Sequence, residues 1–295
     1  MTSHVVVFVA GRKDFPLSAD FIASLHPLFR PDKLRWLHQD KAADIEIDAD
    51  LSPDLFHAIT EIAGRAYHDV FMLPASHRRK KLLLADMDAT IVAGETLDDL
   101  AAFAGLQDKI AAITARAMRG ELDFQEALEQ RVKMLDGLSI SALEQTLSAM
   151  TINAGAIETI RVMRAHGAEC YLVSGGFTYF TEAIARKCGF HGHHGNRLDI
   201  RDGVLTGHVL PPILDKNAKL ALLRDYTARC GISRQETMAV GDGANDIPML
   251  SEAGTGVGYH PKPLVKEQIA NAIIHTDLTS LLYIQGYTWQ DIGPT

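Results

Sequence analysis

The chain contains little of what marks secreted, redox-active or membrane proteins. Its 295 residues include only three cysteines, Cys170, Cys188 and Cys230. Their wide spacing excludes a CxxC metal or redox motif, and three thiols cannot all pair within one chain. No run approaches the roughly eighteen apolar residues of a membrane span, and Val5–Ala10 is too short for the core of a signal peptide. We therefore expect a cytoplasmic protein with no membrane partner.

Basic residues are also scarce. The chain has 29 Lys and Arg against 37 Asp and Glu, which gives a formal net charge of -8. Proteins that bind nucleic acid present a clustered basic face, so no nucleic-acid partner is predicted. The 13 histidines, including His193-His194, show no spacing typical of a transition-metal site. The 47% hydrophobic content is enough for one large core and a second small one.

The segment before residue 81 has a βαββαβ pattern of its own. Ser18 can cap one helix and Ser52-Pro53 can begin another, because serine caps helices and proline suits the first helical position. The second helix should bury Leu55, Ile59 and Ile62. Apolar runs predict strands at 5–10, 34–37, 45–47 and 70–73. The order predicts a small ferredoxin-like α+β domain over residues 1–80.

The basic run His77–Lys81 separates this pattern from a different one, and we interpret it as a solvated linker. After it, strand candidates at 81–85, 169–173 and 238–240 alternate with helical segments. That alternation predicts an α/β domain over residues 81–295, with a Rossmann-like parallel sheet. An insertion at about 95–148 has helical periodicity and should form a cap. Asp202-Gly203, between apolar residues, predicts a hairpin.

Polar clusters follow the strands of this second domain. They are Asp86-Met87-Asp88-Ala89-Thr90, Ser174-Gly175-Gly176 and Gly241-Asp242-Gly243-Ala244-Asn245-Asp246, with Lys219 in a helix that opens near Asn217. An Asp-x-Asp spacing also occurs in calcium loops and strand-end turns, and a lysine near a helix start is usually a surface residue. Open α/β folds, however, bind ligands where the carboxyl ends of their strands meet. The four clusters in this order therefore predict phosphoryl transfer through an aspartate.

This ordered set resembles the haloacid dehalogenase (HAD) superfamily of aspartate-based phosphotransferases, from about Lys81 to the C-terminus. The resemblance implies that Asp86 attacks phosphorus to form an aspartyl-phosphate. It implies that Asp88 protonates the leaving oxygen and later deprotonates the attacking water. Lys219 would stabilise the phosphoryl charge. The residues expected to bind the phosphoryl group are Ser174, the Gly175 N–H, Lys219 and Asn245.

The resemblance also implies a Mg²⁺ cofactor. Its expected ligands are the carboxylates of Asp86 and Asp242 and the backbone carbonyl of Asp88, which suits a hard cation that prefers oxygen. Asp246 would occupy an outer position, where it orients the ligands or balances the lysine. Ala89 stands where the family often has serine, at a position without a catalytic role.

Within the superfamily, the chain resembles the phosphoserine phosphatases in the segment that selects the substrate. Glu95 and Arg131 correspond to a glutamate and a cap arginine that bind the ammonium and the carboxylate of phosphoserine. Met118 and Phe124 correspond to apolar lid residues, although a Met or Phe at helical spacing ordinarily belongs to a core. For residues 1–80 the resemblance implies an ACT-like domain that regulates the enzyme or forms a homodimer.

The leading hypothesis is a Mg²⁺-dependent phosphoserine phosphatase that hydrolyses O-phospho-L-serine in the last step of serine biosynthesis. Two alternatives stay open. A related HAD enzyme could hydrolyse another small phosphomonoester or transfer the phosphoryl group to another acceptor, because the core motifs are shared. A non-catalytic amino-acid sensor would keep the second domain only as a scaffold. The presence of Asp86, Asp88, Lys219 and Asp242 argues against that sensor.

Overall fold

Two β-sheets organise the chain, which a computed structural model describes over residues 3–48, 51–118 and 121–293. The first sheet has four strands and the second has seven. Among the helices of these ranges, none combines the length and apolar character needed to cross a membrane.

The first domain has the predicted βαββαβ order. Its elements are β1 (His4–Ala10), α1 (Ala19–Leu25), β2 (Arg35–His38), β3 (Ala42–Ile47), α2 (Pro53–Arg65) and β4 (His68–Pro74). The strand order in the sheet is β2-β3-β1-β4, and each neighbouring pair is antiparallel. This is the split βαβ arrangement of ferredoxin-like domains, so the predicted topology is confirmed.

Ser18 and Ser52 cap α1 and α2, as the sequence predicts. The buried face of α2 differs from the prediction. It presents Phe56, Ile59 and Ala63 to the sheet, whereas Ile62 is 47% exposed. Both sets of residues recur at helical spacing, and only the position of the sheet decides which one is buried.

The basic run His77–Lys81 is not a solvated linker. Arg78 is largely buried, and Lys80 is buried too. The Arg78 guanidinium donates to an Asp44 carboxylate oxygen at 2.6 Å and to the carbonyl oxygens of Ile284 and Tyr283 at 2.8 and 3.1 Å. The run therefore joins the first domain to a helix near the end of the second. A count of basic residues cannot show which acceptors the rest of the chain brings to them.

The second domain is built on a seven-stranded sheet. Its strands are β5 (Leu82–Ala85), β6 (Glu169–Phe177), β7 (Gly192–Arg201), β8 (Val204–Leu210), β9 (Thr237–Gly241), β10 (Thr255–Tyr259) and β11 (Ala272–Ile273). Their order is β11-β10-β9-β5-β6-β7-β8, and every neighbouring pair is parallel except β7 with β8. Because β5 lies between β9 and β6, the C-terminal ends of these three strands lie side by side. This confirms the Rossmann-like sheet and places its ligand edge.

Helices cover this sheet and form the predicted cap. The cap helices are α3 (Thr96–Phe103), α4 (Gln107–Met118), α5 (Phe124–Lys133) and α6 (Ile140–Ala149). The remaining helices are α7 (Ala156–Ala165), α8 (Thr178–Cys188), α9 (Lys216–Arg229), α10 (Ile247–Glu252), α11 (Pro263–Gln268), α12 (Ser280–Ile284) and α13 (Trp289–Ile292). The predicted helical insertion is confirmed.

The hairpin predicted at Asp202-Gly203 joins β7 to β8. Both turn residues have positive φ, 50° and 79°, as a tight two-residue hairpin requires. The hairpin also holds the cap, because the Gly137 N–H donates to the Leu205 carbonyl at 2.8 Å and the Leu205 N–H donates to Leu138 at 2.9 Å. The sheet edge and the loop between α5 and α6 are therefore one connected structure.

Candidate active site

The first two carboxylates of the site are brought together by the pairing of β5 with β9. Ala85 lies opposite Val240 in this parallel pair, and the Asp86 N–H donates to the Val240 carbonyl at 2.9 Å. Asp86 and Asp242 each follow the end of their strand, so both lie at the same sheet edge. The structure thus brings these two residues, singled out from the sequence, to one place.

A buried lysine connects two of the carboxylates. Lys219, in the first turn of α9, donates from Nζ to Asp86 Oδ1 at 2.5 Å and to Asp246 Oδ1 at 2.6 Å. Lys219 is 1% exposed and Asp246 is fully buried. Burial and the charge of Asp246 raise the pKa of Asp86 well above its usual range, and Lys219 only partly opposes them. Burial disfavours the charged lysine, but the two carboxylates outweigh it and raise the pKa of Lys219.

The acidic residues fit a divalent cation. Carboxylate oxygens of Asp86, Asp242 and Asp246 lie within 4.8 Å of one another, and all three residues are buried. One buried lysine does not balance three carboxylates, and burying unbalanced charge is costly. An all-oxygen donor set suits a hard cation. The sequence analysis placed Asp246 outside the set of metal ligands. In the structure its carboxylate lies with those of Asp86 and Asp242.

Glycines allow the loop after β9 to fold back on itself. A Cβ on Gly241 would lie 2.5 Å from the Asp246 carboxyl carbon, and one on Gly243 would lie 2.6 Å from the side-chain oxygen of Asn245. The Gly243 N–H donates to Asp246 at 3.1 Å. Larger residues at either glycine would therefore push these side chains out of the site. Asn245 is placed at the site, and its contact with a phosphoryl group stays a prediction.

Asp88 is held by two hydroxyl groups and a backbone N–H. One carboxylate oxygen accepts from the Thr96 N–H at 2.8 Å and from the Thr96 hydroxyl, and the other accepts from the Ser174 hydroxyl at 2.8 Å. Burial raises the pKa of Asp88 despite these hydrogen bonds. A carboxyl with a raised pKa suits the proton donor expected here. Sequence reasoning missed Thr96, although it follows Glu95 directly.

The C-terminal part of β6 reaches the same place. Ser174, Gly175 and Gly176 belong to this strand, which extends to Phe177, and do not follow it as the sequence predicts. The Ser174 hydroxyl, besides donating to Asp88, accepts from the Gly176 N–H at 2.8 Å. The Asn196 side chain donates to the Gly175 carbonyl at 2.7 Å, and no sequence signal pointed to Asn196. Ser174 is therefore placed to orient Asp88. The predicted contacts of Ser174 and the Gly175 N–H with phosphate stay predictions.

The cap places Glu95 and Arg131 in one electrostatic environment. Glu95 immediately precedes α3, and Arg131 lies on α5, where its Nε donates to the Ala127 carbonyl at 3.1 Å. Burial lowers the pKa of Arg131, whereas the charges of Asp98 and Glu95 raise it. The charge of Glu95 therefore acts on Arg131 through space.

Lys262 links this cap region to the sheet edge and was missed by sequence reasoning. It precedes α11 and donates from Nζ to Glu95 at 2.9 Å, and the same nitrogen lies 3.1 Å from Asp242. Burial disfavours its charge, but the hydrogen bond to Glu95 and the charge of Asp242 outweigh burial and raise the pKa of Lys262. Lys262 is therefore protonated at neutral pH. No short motif marks it, because its partners lie far away in sequence.

The two lid predictions have different outcomes. Phe124 begins α5, and its ring lies against the C-terminal part of β6, so that a Cβ on Gly175 would be 3.3 Å from the ring. The cap therefore covers this part of β6 with an apolar side chain. Met118 ends α4, and its side chain lies outside the part of the chain that the structure describes.

Comparison with known proteins agrees with this geometry. The model of the haloacid dehalogenase-like hydrolase family matches residues 83–251. Phosphoserine phosphatase SerB2 from Mycobacterium tuberculosis is 40% identical over 237 residues, which cover 80% of this chain and 58% of that protein. The chain thus spans less than two thirds of the length of this curated relative.

Solved structures extend the likeness to the fold. A HAD-family hydrolase from Salmonella enterica serovar Typhi aligns with a TM-score of 0.84 at 28% identity and covers 95% of this chain and 98% of its own. A substrate-bound phosphoserine phosphatase aligns with a TM-score of 0.65 at 38% identity, over 70% of this chain and 98% of its own. The residues that the family model matches include the cap helices and Asp86, Lys219 and Asp242. The chain belongs to the haloacid dehalogenase-like hydrolase family.

Proposed function

We propose that this protein is a phosphoserine phosphatase that hydrolyses O-phospho-L-serine to L-serine and phosphate, the last step of serine biosynthesis. The observation that carries the proposal is that Lys262 connects Glu95 of the cap with Asp242 of the buried acidic cluster, at 2.9 and 3.1 Å, while the charge of Glu95 acts on Arg131. Recognition of phosphoserine requires an acidic and a basic side chain near the phosphoryl site, because this substrate presents an ammonium and a carboxylate close to its phosphoryl group. The names of SerB2 and of the substrate-bound homologue support the same substrate.

In the first chemical step, Asp86 is the nucleophile. Lys219 donates to one oxygen of its carboxylate and so fixes its orientation, and the other oxygen attacks phosphorus. The bond from phosphorus to the seryl oxygen breaks, and Asp88 donates a proton to that oxygen. The raised pKa of Asp88 keeps this proton available, while Thr96 and Ser174 hold the carboxyl in position. The products of this step are serine and an aspartyl-phosphate on Asp86.

In the second step, Asp88 acts as the base. It takes a proton from a water molecule whose oxygen attacks phosphorus, and the bond from phosphorus to Asp86 breaks. Phosphate leaves, and both aspartates return to their starting states. Phe124, packed against the part of β6 that carries Gly175, limits the entry of other water molecules. The Gly175 N–H and Asn245 bind the phosphoryl oxygens in both steps, and Ser174 binds them only when its single hydroxyl proton is not donated to Asp88.

We propose Mg²⁺ as the cofactor, held by Asp86, Asp242 and the Asp88 backbone carbonyl. When bound, this ion neutralises phosphoryl charge and fixes the phosphoryl group for in-line attack. Asp246 supports the site by holding Lys219. The excess of buried carboxylates over lysine supports this assignment.

For residues 1–80 we propose an ACT-like domain with a regulatory or dimerising role. The ferredoxin-like sheet order supports the domain type. The contact of Arg78 with both domains supports a role that requires them to be connected.

The proposal is tested by measuring phosphate release from L-phosphoserine with Mg²⁺, with EDTA, and with the variant Asp86→Asn, beside a panel of other phosphomonoesters. We expect preferential release from phosphoserine that both EDTA and the variant abolish. Activity on a different ester would retain the chemistry and refute the substrate. Absence of activity on every ester would favour the amino-acid sensor.

A further inference from the structure

Lys262 occupies a position that the proposed catalytic cycle does not use. Its Nζ lies between Glu95, which begins the cap, and Asp242, at the end of β9. The backbone fixes this position, because the Lys262 N–H donates to the Asp242 carbonyl at 2.9 Å. A primary ammonium is thus already bound to the carboxylate to which the substrate ammonium is assigned.

The ammonium groups of Lys262 and of the substrate compete for the Glu95 carboxylate, because they cannot both bind it closely. Within the described ranges, Lys262 is the only basic side chain that forms an ion pair with Glu95. The pair is about half exposed, at 46% and 49%, so water can replace either partner at small cost. An incoming ammonium can therefore displace the lysine from Glu95, while Lys262 keeps its second contact with Asp242.

We propose that Lys262 is a specificity-determining residue that acts as the internal counter-ion of Glu95 and is displaced by the ammonium of an amino-acid phosphate. This inference rests on the proposed function and extends it. With Lys262 in place, a phosphate ester without an ammonium meets a neutralised Glu95. Without Lys262, the same ester meets an unpaired carboxylate close to its own negative charges. Lys262 therefore lowers the preference of the site for ammonium-bearing esters.

The experiment compares two esters that differ only in the amino group, L-phosphoserine and 3-phosphooxypropionate, at saturating Mg²⁺. The measured quantity is the ratio of their kcat/KM values. For Lys262→Met we expect this ratio to rise about two- to fivefold, the range of an exposed ion pair. The change should arise in KM, with a lower value for phosphoserine and a higher one for the ester without the ammonium.

Three further variants make the result specific. Lys262→Arg retains the cation, so its ratio should stay near that of the wild type. In the background of Glu95→Gln, the substitution Lys262→Met should no longer change the ratio, because no carboxylate remains to be released. Lys266→Met removes an exposed lysine one turn further along α11 and should leave the ratio unchanged.

A uniform rise in KM for both esters with an unchanged ratio would refute the proposal and identify Lys262 as a general phosphate-binding cation. A change that persists in the Glu95→Gln background would also refute it. Failure of the proposed function is distinguishable, because it would appear in the wild-type protein as absence of phosphate release from phosphoserine.

Discussion

The charged groups at the sheet edge and the pair that joins this edge to the cap are held in opposite ways. Asp86, Lys219 and Asp246 are buried and joined by contacts of 2.5 and 2.6 Å. Glu95 and Lys262 are about half exposed. A strong electric field at the reacting atoms requires charged groups that water cannot screen. Recognition of a substrate requires charged groups that can exchange an ion-pair partner in the protein for one in the substrate. The fold thus separates chemistry from substrate choice.

The position of each group in the chain explains this separation. Asp86 and Asp242 follow strands of the parallel sheet and are fixed by its hydrogen bonds. Glu95, Phe124 and Arg131 lie on or next to cap helices, which contact the sheet edge from one side. We therefore expect substitutions at the sheet edge to abolish turnover and substitutions in the cap to change which ester is used.

The largest effect should come from Asp86→Asn. We expect the rate of phosphate release to fall more than about 10³-fold, because the nucleophile is lost. The melting temperature of the metal-free protein should not fall, because one of three crowded carboxylates is removed. Activity assays and thermal denaturation in EDTA measure the two effects. Asp225→Asn, on the exposed face of α9, is the control. A variant that lost both activity and stability would contradict this separation.

The next largest effect should come from Asp88→Asn. Loss of the acid and base should reduce kcat for phosphoserine about 10²- to 10⁴-fold. An aryl phosphate needs less help with its leaving group, so its first step should be less affected. Rapid mixing with an aryl phosphate should then show a burst of phenol followed by slow turnover, because the aspartyl-phosphate accumulates. Equal slowing of both steps, without a burst, would contradict the dual role of Asp88.

A smaller effect, confined to recognition, should come from Arg131→Lys. Lysine cannot hold a carboxylate through two parallel hydrogen bonds, so KM for phosphoserine should rise about tenfold with little change in kcat. Steady-state kinetics with phosphoserine and an aryl phosphate separate the two parameters. Arg186→Lys, on the exposed surface of α8, should leave both unchanged. A fall in kcat alone would place Arg131 in the chemistry instead.

The smallest effect should come from Phe124→Ala. The ring is 37% exposed, so its loss should lower the free energy of unfolding by about 1 kcal/mol. Loss of a fully buried phenylalanine ring lowers it by more. Turnover of phosphoserine should decrease severalfold, because more water reaches the part of β6 that carries Gly175. Transfer of the phosphoryl group to an added alcohol, followed by product analysis, reports on this access. An unchanged partition between water and alcohol would show that Phe124 does not act as a lid.

Sequence patterns predicted the parts of the fold that depend on local periodicity. The strand before Asp86, the cap insertion and the hairpin at Asp202-Gly203 each rest on a short pattern that the structure confirms. The predicted buried face of α2 was wrong at Leu55, which is partly buried, and at Ile62, which is exposed, because a helical repeat does not identify the side on which a sheet packs.

The contacts that sequence reasoning missed join distant segments. Lys262 meets Glu95 across 167 positions, and Asn196 meets the Gly175 carbonyl across 21. Neither residue belongs to a short motif, so only the folded chain brings the partners together. Thr96 is different, because it is eight positions from Asp88 and at the start of a helix. Because Thr96 directly follows Glu95, its hydroxyl could have been predicted from the sequence to lie near the site.

The contacts of Arg78 impose an order on the biosynthesis of the molecule. Asp44, one of its partners, is translated before Arg78, whereas the carbonyl groups of Tyr283 and Ile284 follow Arg78 by 205 and 206 positions. The four strands of the first sheet can pair while the ribosome is still producing the second domain. The guanidinium completes its hydrogen bonds only when the last helices fold. Contact of the two domains through Arg78 therefore follows the pairing of the first sheet.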